Sequence, residues 1–188
     1  GLFYRVNFKP HFTIKSGFNY AKVKGADERL DNTELKRRIL SFASNIYELG
    51  ATVEYNIFGF DPSQYNKTIT PYIFAGVAGF YFNPKTIYNG NWVELQPLGT
   101  EGQGAPSRDK KYNRIAVAFP YGFGLKWAVN DKWNIGFEVG SRYALTDYID
   151  DVKGAYMNYN ELLLVNGPTA AALGDRSGEL LDGEPTIR

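Results

Sequence analysis

The sequence predicts an all-β fold: a small antiparallel up-and-down transmembrane β-barrel of eight strands, with residues 1–188 as a single domain missing its first and last strands. Three observations predict it. From Arg114 to Tyr143 two long alternations flank a short polar turn, and one side of each is aromatic or aliphatic almost without exception. The other side is mainly Gly and Ala with isolated charges, where a soluble sandwich would carry Lys, Thr, Glu and Ser. Long and short connections also alternate along the chain, as in barrels whose short turns face the periplasm and whose long loops face outside.

In the first alternation Ile115, Val117, Phe119, Tyr121, Phe123, Leu125 and Trp127 share one face, and in the second Trp133, Ile135, Phe137 and Val139 do. Successive side chains leave a strand on opposite sides, so these residues are expected to face lipid and their neighbours the lumen. Apolar residues oppose one another across the hairpin only if the loop has odd length, which Ala128–Lys132 or its inner three residues supply. That places Trp127 opposite Trp133, Phe123 opposite Phe137, Gly122 opposite Glu138 and Ala118 opposite Arg142. A small residue facing a long charged one suits a narrow interior, which two long side chains at one level would overfill.

The remaining strands follow in order. Leu2, Tyr4, Val6 and Phe8 alternate over 2–9, and the turn Lys9-Pro10-His11 sets Phe8 opposite Phe12 at the start of a strand over 12–23. Gly25 to Arg38 is charged and polar, a solvated loop. A third strand over 39–57 alternates cleanly only from Tyr47 onward, and Phe58 to Ile69 has the Gly, Pro and Asn content of a turn. Strand 70–82 is apolar on both faces, so periodicity leaves its lipid side open. Asn83 to Lys111 reads as a long connection with several Gly and Pro, followed by strands over 112–127 and 133–146. Beyond Leu145 comes another connection, with Asp147, Asp150 and Asp151 and a short helix over 159–165.

Those six strands, with one added at each end, give eight. Strands of about 16 residues, at roughly 3.3 Å each and tilted by about 40°, reach about 40 Å along the membrane normal and outrun the ~25 Å apolar band. The chain opens in mid-strand without an export signal and ends without a closing strand, so a mature fragment is expected.

Composition narrows the function. Aromatics at 16% are high for a soluble domain, and a net charge of +1 gives no footprint for nucleic acid. No apolar run is long enough for a membrane helix, and a negative mean hydropathy does not exclude a barrel, whose alternating strands escape a hydropathy window. Without Cys there is neither disulfide nor thiol chemistry.

Arg5, Lys15, Glu48, Glu54, Arg114, Lys126, Glu138 and Arg142 fall on the inferred lumen face. They are read as a plug of neutralising pairs rather than an ion path, because an eight-stranded barrel has room only for its own side chains. Asp147, Asp150 and Asp151 lack the spacing of an EF-hand and are read as a solvated loop, with no metal and no cofactor. The one histidine, His11, sits in a short turn away from the acidic loops, so no enzyme is expected. Trp127 and Trp133 are read as interfacial anchors, and Pro120, which cannot donate to a ladder, calls for a bulge or a bridging water.

Pro71–Pro84 (PYIFAGVAGFYFNP), Trp92–Gly104 (WVELQPLGTEGQG), Trp133–Tyr156 (WNIGFEVGSRYALTDYIDDVKGAY) and Asn166–Gly178 (NGPTAAALGDRSG) resemble the PorG-type outer-membrane barrels of the type IX secretion system. The resemblance implies an eight-stranded barrel in the outer membrane of a Gram-negative bacterium, in contact with the periplasmic ring of the lipoprotein PorK and its partner PorN. It implies a non-enzymatic component of that secretion system. A narrow channel or transporter and a surface-loop adhesin are the alternatives. Of the periplasmic turns only Phe58–Ile69 is long enough to reach a partner, with Phe60, Pro62 and Tyr65 as apolar anchors and Lys67 beside them.

Overall fold

The computed structural model describes residues 1–26, 41–63, 68–106, 108, 110–130, 132–153 and 157–174. Seven strands lie among them: β1 (Leu2–Lys9), β2 (Phe12–Ala26), β3 (Ser41–Asn56), β4 (Ile69–Tyr88), β5 (Asn91–Glu94), β6 (Ile115–Ala128) and β7 (Asn134–Ala144). A 3₁₀ turn, Tyr148–Asp150, and two short helices, α1 (Tyr159–Asn166) and α2 (Pro168–Gly174), follow. The strands form one sheet in the order β1-β2-β3-β4-β6-β7, with β5 attached to β4. The all-β, up-and-down expectation holds to that extent. Closure does not, because β1 and β7 end the path and do not pair with each other.

Residues cluster into two compact units, one built from Gly1–Tyr20, Tyr47–Tyr81 and Ile115–Leu145, the other from Ala21–Ile46, Phe82–Arg114 and Thr146–Arg188.

In the first unit neighbouring strands run antiparallel. β1 pairs with β2 from Leu2↔Phe18 to Asn7↔Thr13, and a bulge beyond Asn7 makes Lys9 rather than Phe8 the partner of Phe12, which corrects the expected turn of Lys9-Pro10-His11; the Phe8 and Phe12 rings still stack at 6.4 Å. Along β2 and β3 the ring pairs Phe12–Tyr55 at 5.4 Å and Tyr20–Tyr47 at 5.3 Å run in opposite senses. Between β3 and β4, Tyr47 meets Tyr81 at 6.5 Å while Ile57 N donates to Pro71 O at 3.0 Å.

Burial distinguishes the two apolar faces of β4: Ile69, Ile73, Val77 and Tyr81 are exposed, while Thr70, Tyr72, Phe74 and Ala78 are buried. The inward rings bear on three of the glycines of β6 and β7. A methyl group on Gly122 or Gly140 would collide with the Phe74 ring, and one on Gly124 with Tyr72.

The register of the β6–β7 hairpin corrects the expected one by two residues. Phe123 faces Val139, Leu125 faces Phe137 and Trp127 faces Ile135; on the other side Gly124 faces Glu138, Pro120 faces Arg142 and Lys126 faces Gly136. The loop is Val129–Trp133, still odd, so every residue keeps its face while its partner changes. Asn130 causes the displacement: its Oδ1 accepts from the backbone N–H of Lys132 and of Trp133, each at 2.9 Å, which draws Trp133 into the turn.

At Pro120 the expected bulge is absent. The β4–β6 pairs step from Ala75↔Tyr121 to Ala78↔Ala118 without a register shift, so the ladder is interrupted beside the missing N–H rather than bulged.

The second unit corrects the reading of 83–111 as a plain connection. β4 continues to Tyr88 and folds back through Asn89-Gly90 into β5, with Ile87 opposite Trp92. Both turn residues have positive φ, 50° at Asn89 and 77° at Gly90, which is what a two-residue hairpin matching the strand twist demands. Helix α1 spans Tyr159–Asn166, close to the expected 159–165, and Asn158 caps it by accepting from Asn160 N at 3.0 Å. Leu162 of α1 packs on Ala170 and Ala171 of α2, with Leu98, Met157 and Tyr159 around them.

Candidate functional site

Alternation turns the even positions of β3 and β4 and the odd positions of β1 and β2 inward, and charges meet there. Arg5 Nε donates to Glu54 at 2.9 Å, and its Nη2 reaches Tyr72 Oη at 3.1 Å and Glu138 at 3.2 Å. Glu138 also accepts from Lys15 Nζ at 2.6 Å and from Tyr72 Oη at 2.9 Å. Lys126 Nζ pairs with Glu54 at 2.5 Å and donates to Asn56 Oδ1 at 2.8 Å, with the Tyr72 ring centroid 4.5 Å away. Arg142 grips Glu48 with two bonds, of 2.6 and 3.0 Å, and Asn19 Nδ2 adds a third at 2.9 Å.

Each of these carboxylates thus faces a cation, as burial of charge requires. Seven of the eight expected lumen charges are brought together in this way: Arg5, Lys15, Glu48, Glu54, Lys126, Glu138 and Arg142.

Arg114 is the exception and is corrected. It lies one residue before β6 in the second unit, where it pairs with Glu94 at 2.9 Å and donates to Gln96. Parity alone put it with the interior charges, and parity does not say where along a strand the unit ends.

Tyr72, which no charge pattern singles out, joins Arg5, Glu138 and Lys126 at one level. Around these side chains runs a cavity of about 640 Å³, lined among others by Lys15, Glu48, Thr52, Phe60, Glu138 and Arg142. Thr52 Oγ1 is buried without a hydrogen-bond partner among the described residues.

On the outer side Ile115, Val117, Phe119, Tyr121, Phe123, Leu125 and Trp127 are all exposed, as are Trp133, Ile135, Phe137 and Val139. Trp133 differs from the others in standing in the turn rather than on a strand.

Phe60 is not the exposed apolar anchor expected of it in the Phe58–Ile69 turn. Its side chain is only 5% exposed, its N–H donates to Pro10 O at 2.7 Å, and its ring lies 5.7 Å from Lys126 Nζ. An apolar ring in a polar turn has an interior to enter here, and it enters it. Pro62 is half-buried, and Tyr65 and Lys67 lie outside the described residues. His11 sits in its exposed turn and donates from Nδ1 to Asn56 O at 2.8 Å.

The second unit holds a separate polar cluster. Asp151, read from sequence as solvated, is 2% exposed and accepts from Tyr112 Oη and Thr100 Oγ1, each at 2.5 Å. Burial pushes its carboxyl up to about 6, against the pull of those two donors. The same burial pushes the Tyr112 phenol far above its ordinary range, and Tyr112 is stacked between Phe82 at 5.9 Å and Tyr148 at 4.5 Å. At the β4–β5 hairpin, hydrogen bonds from Lys85 and Asn83 hold Glu94 down at about 2. Among the described residues no group of His, Asp and Glu is arranged to hold a metal.

Neither a curated protein nor a solved structure matches the chain. Its family is shown by the match over residues 1–168, which covers the strands, the interior charges and α1: the chain belongs to DUF6089, a domain of unknown function.

Proposed function

We propose that the chain is a non-enzymatic outer-membrane β-barrel component of the type IX secretion system, which spans the membrane with its strands and meets the periplasmic ring of PorK and PorN. The observation that carries the membrane part is the inverted polarity of the first unit. Its interior is polar and charged, while Val53, Ile73, Val77, Phe119, Phe123, Leu125, Phe137 and further large apolar side chains stand exposed on the opposite side. A water-facing sheet that left so much apolar surface open would be covered or would aggregate, whereas hydrocarbon is the natural solvent for it.

Support for the ring contact is the resemblance of Pro71–Pro84, Trp92–Gly104, Trp133–Tyr156 and Asn166–Gly178 to PorG-type barrels. The neutralised interior favours an anchor over a pore, since each carboxylate there is occupied by a cation. With Phe60 turned inward, Phe58, which is exposed, is the ring on the outer side of that turn among the described residues.

Two measurements test the two parts. Crosslinking in native envelopes followed by purification is expected to recover PorK and PorN, and their absence would remove the secretion part. Carbonate extraction is expected to leave the chain in the membrane with heat-modifiable gel mobility, and its release would remove the barrel.

A further inference from the structure

At one end of the first unit the β1–β2 turn and the β3–β4 connection are tied together. Asn56 N donates to His11 O at 2.8 Å, Asn56 Nδ2 to Pro10 O at 3.1 Å, and Phe60 N to Pro10 O at 2.7 Å. Gly59 makes the tie possible with φ of 74°, which turns the chain back over the interior. Phe60 follows and points inward, and just beneath it are Lys126, Glu54, Asn56 and Thr13, all buried. Thr13 Oγ1 accepts from Asn56 Nδ2 at 3.1 Å, and the Lys126 ammonium is shared between Glu54, Asn56 and the faces of Phe60 and Tyr72. Phe60 also lines the cavity whose other walls carry Thr52, Glu48 and Lys15.

We infer that Phe60 is a plug, carried on the β3–β4 connection, that closes the turn end of the interior cavity and bars aqueous solutes from entering there. Three features support a closing device over an ordinary buried ring. The residue belongs to an irregular connection and not to a strand, so strand alternation does not force it inward. Hydrogen bonds to a second turn hold its backbone in place. Its ring lies 5.7 Å from a buried ammonium that lines the same cavity. A neutral ring over an ammonium excludes water at little electrostatic cost, since the ring face attracts the charge.

The inference rests on the barrel reading, and the test separates the two. The chain has no Cys, so Thr52→Cys introduces one thiol into the cavity on the far side of the Glu54–Lys126 pair. The full-length protein with this change is inserted in vesicles in one orientation, and heat-modifiable mobility reports whether the barrel has formed. A charged, membrane-impermeant methanethiosulfonate is then applied from the turn side.

With Phe60 present the thiol is expected to stay unlabelled, and with Phe60→Ala in the same background it is expected to gain labelling. Phe60→Leu, which keeps a bulky apolar side chain at that position, is expected to stay closed and guards against a variant that merely loosens the turn. Labelling with Phe60 present, or no gain in Phe60→Ala with heat-modifiable mobility intact, would overturn the plug and leave the barrel standing. Loss of heat-modifiable mobility in the Thr52→Cys protein itself would count against the barrel instead.

Discussion

Arg5 and Glu138 stand 133 positions apart and on strands that do not pair, yet they meet at 3.2 Å across the interior of the first unit. Glu138 is the hub of that meeting, since Lys15 and Tyr72 also donate to it.

Removing the hub charge should therefore strand its cations. Glu138→Gln keeps the size of the side chain and takes away the charge, leaving Lys15 without its carboxylate. Because Glu138 is about a third exposed, the expected loss is about 1–3 kcal/mol, below the value for a fully buried pair. Reversible urea unfolding in lipid measures it. A double-mutant cycle with Lys15→Met should recover part of the loss, and strict additivity would show that the two residues are not coupled.

The outer face should reject charge according to depth. Phe123→Arg and Phe137→Arg are expected to cost about 2–4 kcal/mol each, against about 0–1 for Val129→Arg in the turn. Equal tolerance at all three positions would contradict a lipid-facing surface.

Paired thiols can read the hairpin register. Phe123→Cys with Val139→Cys should form a disulfide on mild oxidation, since the two face each other. Phe123→Cys with Phe137→Cys is a diagonal pair, about 7–8 Å apart and too far for an unstrained bond. A preference for the diagonal pair would restore the register predicted from loop length alone.

Asp151 makes the second unit sensitive to pH. Its carboxyl titrates near 6 in the fold and at 3.8 when unfolded, so the folded form holds the proton more tightly. The stabilisation is complete below about pH 4 and is lost as pH rises through 6. A tenfold change in proton affinity is worth about 1.36 kcal/mol, so the whole difference amounts to about 3 kcal/mol. Amide exchange of α1 and α2, corrected for its intrinsic pH dependence, should show protection falling over that window. Asp151→Asn should flatten the profile, and protection that instead rose with pH would reverse the sign of the effect.

What periodicity could reveal was the face of each side chain, because alternation is a local property. Phe123, Leu125 and Phe137 needed only their neighbours to be placed. Register was less legible: parity limited the hairpin to odd loops, but the choice between Trp133 and Ile135 as the partner of Trp127 fell to the Asn130 carboxamide.

The Asn89-Gly90 turn was a visible hairpin signal, obscured by the Gly and Pro around it. Asp151 and Phe60 were out of reach for another reason. The burial of Asp151 depends on Tyr112 and Thr100, and that of Phe60 on Pro10, both distant in sequence, and nothing in a string of residues says that two loops will meet.

The outer edges of β1 and β7 carry a consequence for handling the chain. The path runs through six strands that alternate in direction, so its first and last members are antiparallel to each other. A single strand entering that seam would be forced parallel to one side, whereas two would satisfy both. Among the described residues the chain therefore presents two complementary templates, and the β7 edge of one molecule can zip onto the β1 edge of the next. A purified preparation should grow into head-to-tail ribbons as its concentration rises. A short peptide that binds either edge should terminate that growth.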